Sequence, residues 1–398
     1  MDIQNKEFLQ KAGFKYTNYL CHALEGFNDT NKIRNLKLEL KVCSDLNKPI
    51  SFAFQYGDGL ISLNDKPDKR KNILGEFLNA CEDNNPMKII HFFTRYGYIL
   101  ELENDKLYTI DFETITKISN RLGALLDLVN HINDEVNLDK KNLKKILELS
   151  LYLFFDPGYT LTSGNYNIKS TYYYLAQLLT DNIFDVVPKT IKDSDEIKYG
   201  CFHIQDKHFS SYNLTANEYK NIVDGFSTKD GEDDFTYKAI VYAYANYYPA
   251  NSLNREIVEL LFHFYHSYGI PLEINRNNVE YFTFKNQFDF NDFKDEIISF
   301  AKFIIKSEMD NGIKNIRPSY DSDLMKPDWK VDSLLGAMYF SIFYIDSTTE
   351  MYRKCQYCNQ YFIVKRSSSN KIYCSSYCRN NAQQAKHRLK TKKPNTKS

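Results

Sequence analysis

The sequence predicts an α+β fold: a predominantly helical body with antiparallel β-strands near its N-terminus and a small cysteine-rich module at its C-terminus. Three observations predict it. Apolar and polar residues alternate with period two between positions 36 and 56, apolar residues recur at helical spacing from 111 onward, and four cysteines fall in two close pairs between 355 and 378.

The chain has 398 residues, enough to bury a substantial core in two or three domains. At 43% apolar and 26% charged residues, its composition suits a globular protein and excludes wholesale disorder. Met1 to Lys6 lack the apolar run of a secretory signal, and no eighteen-residue apolar stretch is present, so no membrane partner is expected. The other four cysteines, Cys21, Cys43, Cys81 and Cys201, are scattered singly. That usage fits a reducing cytoplasm and a metal site better than a disulfide framework.

Leu36, Leu38, Leu40 and Val42 alternate with Lys37, Glu39 and Lys41, and Ile50, Phe52, Phe54 and Tyr56 continue the pattern after a turn at Leu46 to Pro49. These are expected antiparallel strands. Pro86 and Gly97 bracket a helix, Pro suiting its first position and Gly its C′ position. Segments 98–102 and 107–110 around Asn104-Asp105 are expected to form a hairpin. From 111 on, Ile115, Ile118, Leu122, Leu125, Leu126, Val129 and Ile132 mark one helix face, and Asp139 caps a second helix that stops at Asp156-Pro157-Gly158. Further helices are expected near 168–183, 235–248, 254–268 and 293–311. A polar linker or surface loop is expected over 311–330, and then a helix capped by Asp332. The resulting division is 1–110, 111–348 (one domain with the first, or separate), a finger at 349–391 and a basic tail at 392–398.

Cys355-x2-Cys358 and Cys374-x3-Cys378 are separated by fifteen residues. Two close pairs a hairpin apart allow four thiolates to meet tetrahedrally about one zinc ion, and the closed ligand set makes it structural. Tyr361 to Val364 reads as a strand, Ser367 to Asn370 as a turn, and Lys371 to Tyr373 as the returning strand. Helical character begins at Ser375, placing the second pair at a helix N-terminus that favours thiolates. Cys378, Ala382, Ala385 and Leu389 would then share one face. A knuckle, a hairpin and a helix in this order make a treble-clef-like finger. Two disulfides or four free thiols are the alternative.

Formal net charge is zero, yet residues 351–398 hold twelve Lys or Arg and no Asp or Glu, leaving 39 basic against 51 acidic residues elsewhere. Arg379, Gln383, Lys386 and Lys390 form a stripe beside the metal-facing one. Lys365 and Arg366 lie at the expected hairpin tip, and Arg388 extends the charge. Such groups contact phosphates and base edges, so nucleic acid, DNA before RNA, is the expected partner of an acidic regulatory body. A protein-interaction module, as in a phage-defence or toxin–antitoxin system, and a purely structural finger are the alternatives.

The run Cys355-x2-Cys358-Asn359-x-Tyr361-Phe362, then Lys371-x-Tyr373-Cys374-Ser375-x2-Cys378-Arg379-Asn380, resembles the C-terminal finger of a family of uncharacterised bacterial and phage-associated proteins. More distantly it is similar to the CGNR-type zinc finger of bacterial transcriptional regulators. Those have wider cysteine pairs and Cys-Gly-Asn-Arg where this chain has Cys378-Arg379-Asn380-Asn381. The resemblance covers about forty residues; it implies a helical N-terminal region followed by a DNA-binding finger, and it supplies no catalytic residue.

No G-x-G-x-x-G, P-loop or nucleophile-elbow pattern occurs. An enzyme such as a nuclease would need residues that meet only in three dimensions. The best local cluster is Glu259, His263 and His266 on one helix face, among apolar neighbours. His203, Asp206 and His208, and the acidic run 230–234, read as surface.

Overall fold

The computed structural model describes residues 13–26, 37–42, 49–66, 70–82, 85–103, 107–133, 139–163, 166–180, 198–199, 202–203, 235–245, 252–323, 325–345, 349–368 and 370–391. Contacts divide the chain into two compact units. The first comprises Met1–Asn133, Gly158–Thr171 and Ile305–Ser398, and the second Asp134–Pro157 and Tyr172–Ile304. The architecture is mixed α+β, helices with several small antiparallel sheets.

In the first unit, β1 (Lys15–Tyr19), β4 (Pro49–Gln55) and β5 (Gly59–Ser62) form an antiparallel sheet in the order β1-β4-β5. A second sheet joins β2 (Cys21–Gly26), β3 (Lys37–Val42) and β6 (Leu107–Asp111) in the order β2-β3-β6. The two alternating segments read from the sequence are therefore strands, but of different sheets. Alternation fixes which face of a strand is buried and leaves its partner open.

The expected hairpin over 98–110 does not form. β6 pairs with β3 instead, and Tyr98, Ile99 and Leu100 lie fully buried outside any ladder. The Tyr98 and Ile99 carbonyls are satisfied from elsewhere. Asn18, itself buried, donates to Tyr96 O and Tyr98 O at 3.0 and 2.9 Å, and Leu335 N donates to Ile99 O at 2.9 Å.

Helices α1 (Ile73–Glu82), α2 (Pro86–Tyr96) and α3 (Phe112–Ile132) cover these sheets. Asn72 caps α1 by accepting from Gly75 N at 2.9 Å. α2 has Pro86 in its first turn and ends at Gly97 with φ 78°. α3 buries Ile115, Ile118, Leu122 and Leu125, but also Arg121, whose Nε and Nη2 grip Glu308 at 3.1 and 2.6 Å. A fork-to-fork pair is the arrangement that permits both charges to lie inside.

The unit also holds the hairpin β7 (Thr160–Ser163) and β8 (Tyr166–Lys169). Strand β8 occupies the start of the expected helix over 168–183; among the described residues of that range, α5 (Tyr174–Thr180), in the second unit, is the helical part. The rest of 181–215 lies outside the described residues apart from the short pair β9 (Lys198–Tyr199) and β10 (Phe202–His203), as does the run 230–234.

The second unit is helical. It contains α4 (Lys140–Phe155), capped by Asp139, together with α6 (Phe235–Ala245) and α7 (Leu253–Ser267), capped by Ser252. The hairpin β11 (Gly269–Ile274) and β12 (Val279–Phe284) follows, and then α8 (Lys294–Gly312), within which the division between units falls. Phe264, Tyr268, Phe288 and Phe290 interlock with ring centroids 5.0–6.4 Å apart.

The polar stretch 311–330 is not a linker. It forms the hairpin β13 (Arg317–Asp321) and β14 (Lys326–Lys330), whose residues are mostly exposed, so no apolar alternation marked it. Ser333, not Asp332, then caps α9 (Leu334–Phe343) by accepting from Gly336 N at 3.0 Å. Nine consecutive residues of α9, Leu334 to Ile342, are buried, with Phe340 packed 4.8 Å from Phe14. A helix apolar on all sides belongs inside a core. No helix among the described residues is long and apolar enough to cross a membrane.

Candidate metal centre

Strands β15 (Glu350–Lys354) and β16 (Tyr361–Lys365) pair antiparallel, and the first cysteine pair occupies the loop between them. Cys355 N donates to Gln360 O at 3.0 Å and Asn359 N to Cys355 O at 2.9 Å, folding the loop into a knuckle. Asn359 takes φ 58°, the left-handed conformation that Asn tolerates better than most residues.

The partner of β16 is thus β15, and not residues 371–373 as the sequence suggested. After β16 the chain makes a 3-10 turn at Arg366–Ser368 and returns without pairing as a strand, and Gln356 N donates to Ile372 O at 3.1 Å. This bond, together with that from Arg353 Nη1 to Lys371 O at 3.3 Å, brings the second pair beside the first. Helix α10 (Ser376–Thr391) then begins, with Ser375 Oγ accepting from Cys378 N at 3.2 Å.

The sulfurs of Cys355, Cys358, Cys374 and Cys378 all lie within 4.8 Å of one another. The separations are 3.6 Å for Cys358 to Cys374 and 3.4 Å for Cys374 to Cys378. A disulfide would need about 2.05 Å, so these are thiols. Four sulfurs bonded at about 2.3 Å to one tetrahedral ion sit roughly 3.8 Å apart, so the cluster has the size to hold one metal ion. Among the described residues no other group of three or more His, Cys, Asp or Glu side chains converges in this way.

The electrostatics suit a cation. Burial opposes ionisation of Cys355, yet the backbone N–H groups of Cys358, Cys374 and Tyr357 aim at its sulfur and bring the thiol down to about 7. Burial pushes Cys358 up to about 11, and burial with the neighbouring Cys378 and Cys358 thiols also raises Cys374. Thiols this close cannot all ionise without a positive charge among them. A divalent ion would supply it and expel protons on binding. Phe362 and Val364 pack beside Cys355 and Cys378, with Met351 and Tyr373 at the edge, and shield the sulfurs from one side.

The hairpin is fastened to the first unit rather than suspended from it. Asn130 of α3 donates to Tyr352 O at 3.0 Å and accepts from Tyr352 N at 3.1 Å. Asn72 donates to the Tyr352 hydroxyl at 3.3 Å, Lys354 pairs with Glu82, and Gln360 bonds Glu76. Gly75 of α1 lies against β16 so closely that a Cβ there would meet Tyr361 O at 2.6 Å.

A cleft of about 580 Å³ opens between the cysteine cluster and this part of the unit. Asp58, Arg70, Lys71 and Glu76 line it from one side, and Lys371 and Tyr377 from the other. Burial raises the Asp58 carboxyl, against the pull of Lys371 and Arg70. Nothing in the sequence marked Asp58, Arg70, Lys71 and Glu76, which lie hundreds of positions from the cysteines.

The basic residues singled out from the sequence divide. Arg379, Gln383, Lys386 and Arg388 are exposed on α10, and Lys365 is exposed at the end of β16. Lys390 lies on α10, with its side chain outside the described residues. Arg366 is half-buried and donates to Asn130 O at 3.3 Å, so it is not at a free hairpin tip. Of the expected apolar stripe of α10, Cys378 and Ala382 are buried and Ala385 is exposed, while the Leu389 side chain lies outside the described residues.

Glu259, His263 and His266 do not converge as a metal-ligand group among the described residues. Glu259 is taken by Arg255, and His266 Nδ1 lies 3.0 Å from the Tyr237 hydroxyl. The His263 ring lies 5.1 Å from that of Phe293, and burial lowers its pKa. Comparison with protein-family models, with curated proteins and with solved structures finds no match.

Proposed function

We propose that this is a zinc-finger protein that binds nucleic acid through α10, with one structural zinc held by Cys355, Cys358, Cys374 and Cys378. The observation that carries this reading is a closed four-sulfur cluster bearing an exposed cationic helix. Sulfur is a soft ligand, and four thiolates in tetrahedral reach select zinc over the oxygen-seeking cations. A knuckle at a hairpin tip and a second pair at a helix N-terminus support a treble-clef-like finger. α10 carries Arg379, Lys386 and Arg388 on its exposed surface and no acidic residue. Such a surface attracts phosphates and releases their counterions.

A second reading is favoured by the bonds from α1 and α3 to the hairpin. In it the zinc serves the first unit, fastening the C-terminal segment as a structural staple, and a protein partner takes the helix. Full-length protein separates the two. Cys374→Ser should lose stoichiometric zinc by elemental analysis. Joint replacement of Arg379, Lys386 and Arg388 by Glu should keep the zinc, abolish oligonucleotide binding at low salt, and remove about 2–3 from the salt-dependence slope. Retained binding in the charge-reversed protein would leave the staple.

A further inference from the structure

The metal centre and the outer surface of α10 leave the cleft beside them without a role. Its size, about 580 Å³, falls in the ~300–1,000 Å³ range of small-ligand sites. Its lining is mixed in charge. Lys71 is engaged by Glu76 at 3.1 Å, and Glu76 also takes Gln360. That leaves Asp58 as the acid facing the two cations Arg70 and Lys371, both of which act on it. A purely anionic ligand would meet Asp58 unfavourably, and a purely cationic one would meet the two cations. A ligand that offers both an anionic group and hydrogen-bond donors suits all three. Tyr377 also lines the cleft, with 71% of its surface exposed, and Tyr357, in the knuckle, is 45% exposed. Large rings left in water beside cations are what successive bases stack upon.

We propose that the cleft receives one unpaired nucleotide of a single-stranded nucleic acid, its phosphate held by Arg70 and Lys371, its base edge bonded to Asp58, and an adjacent base stacked on Tyr377. The proposal rests on nucleic acid being the ligand of α10, and it names the form of that ligand. A recess of single-nucleotide size excludes a duplex, whose bases are paired and stacked within the helix. An unpaired base exposes both its ring face and its Watson–Crick edge.

The test uses full-length, zinc-loaded protein with short fluorescent single strands of DNA and RNA, the same sequence closed into a hairpin duplex, and a mononucleotide competitor. A strand carrying 2-aminopurine reports base stacking directly. Single strands should bind about tenfold or more tighter than the duplex. Tyr377→Ala should weaken single-strand binding by about 5- to 150-fold, the worth of one base–aromatic stack, and remove the 2-aminopurine signal, while Tyr377→Phe retains both. Unchanged zinc content and melting would show that Tyr377→Ala still folds.

Equal affinity for duplex and single strand, with Tyr377→Ala silent, would overturn the proposal while charge reversal on α10 still removed binding. A mononucleotide that binds without competing with the single strands would overturn it as well. If no oligonucleotide binds at low salt, the nucleic-acid reading of α10 falls and takes this inference with it.

Discussion

Gly75→Ala puts local propensity and tertiary packing in opposition. Gly75 sits in the first turn of α1, where replacement of glycine by alanine ordinarily stabilises a helix by about 0.5–1 kcal/mol. Here the added Cβ would lie 2.6 Å from Tyr361 O and 3.1 Å from Tyr361 Cβ. The first contact is with backbone of β16, which cannot swing aside like a side-chain tip, so α1 and the finger hairpin must separate. Overpacking of this kind costs about 1–3 kcal/mol, which leaves a net loss of up to about 2.5 kcal/mol after the helical gain. For a unit of this size that lowers the melting temperature by up to about 10 °C. Calorimetry in excess zinc measures the shift, and zinc capture by a chromogenic chelator should be faster in the variant, because the displaced strand leads directly from the knuckle. A raised melting temperature with unchanged zinc release would show that the hairpin does not pack on α1 as described.

The buried pair of the first unit makes a second case. Arg121→Met takes the guanidinium away from the Glu308 carboxylate, 1% exposed, and should cost about 3–5 kcal/mol in denaturant unfolding, whereas Arg121→Met with Glu308→Leu should recover most of it; equal losses in both proteins would refute the assignment. His263 predicts a pH dependence. Its pKa is lowered from 6.5 by burial, so the unfolded chain takes up a proton first as the pH falls. Stability is full above 6.5 and declines below it, down through the lowered folded value. His263→Gln should flatten that decline in thermal melts between pH 7 and the acid limb, and an unaltered slope would mean that the ring is not desolvated.

Much of the helical skeleton was legible because helix signals are local. Pro86 and Gly97 bracket α2, Asp139 caps α4, and the stripe from Ile115 to Ile132 lies on α3, each decided by residues within four positions of one another. Strand partnership was not legible, since 36–42 and 50–56 alternate alike yet enter different sheets. The hairpin over 317–330 escaped notice because its exposed residues carry no apolar alternation.

For the candidate site, the sequence by itself singled out the four candidate ligands. Sulfur spacing of two and three residues is a local constraint, and the four cysteines do converge. Tertiary structure alone decided what surrounds them. The bond between Gln360 and Glu76 spans 284 positions, and that between Asn130 and Tyr352 spans 222. No period or spacing encodes such contacts, because they depend on two surfaces fitting after each has folded. The same physics placed Arg121 opposite Glu308 and opened the cleft beside the metal centre.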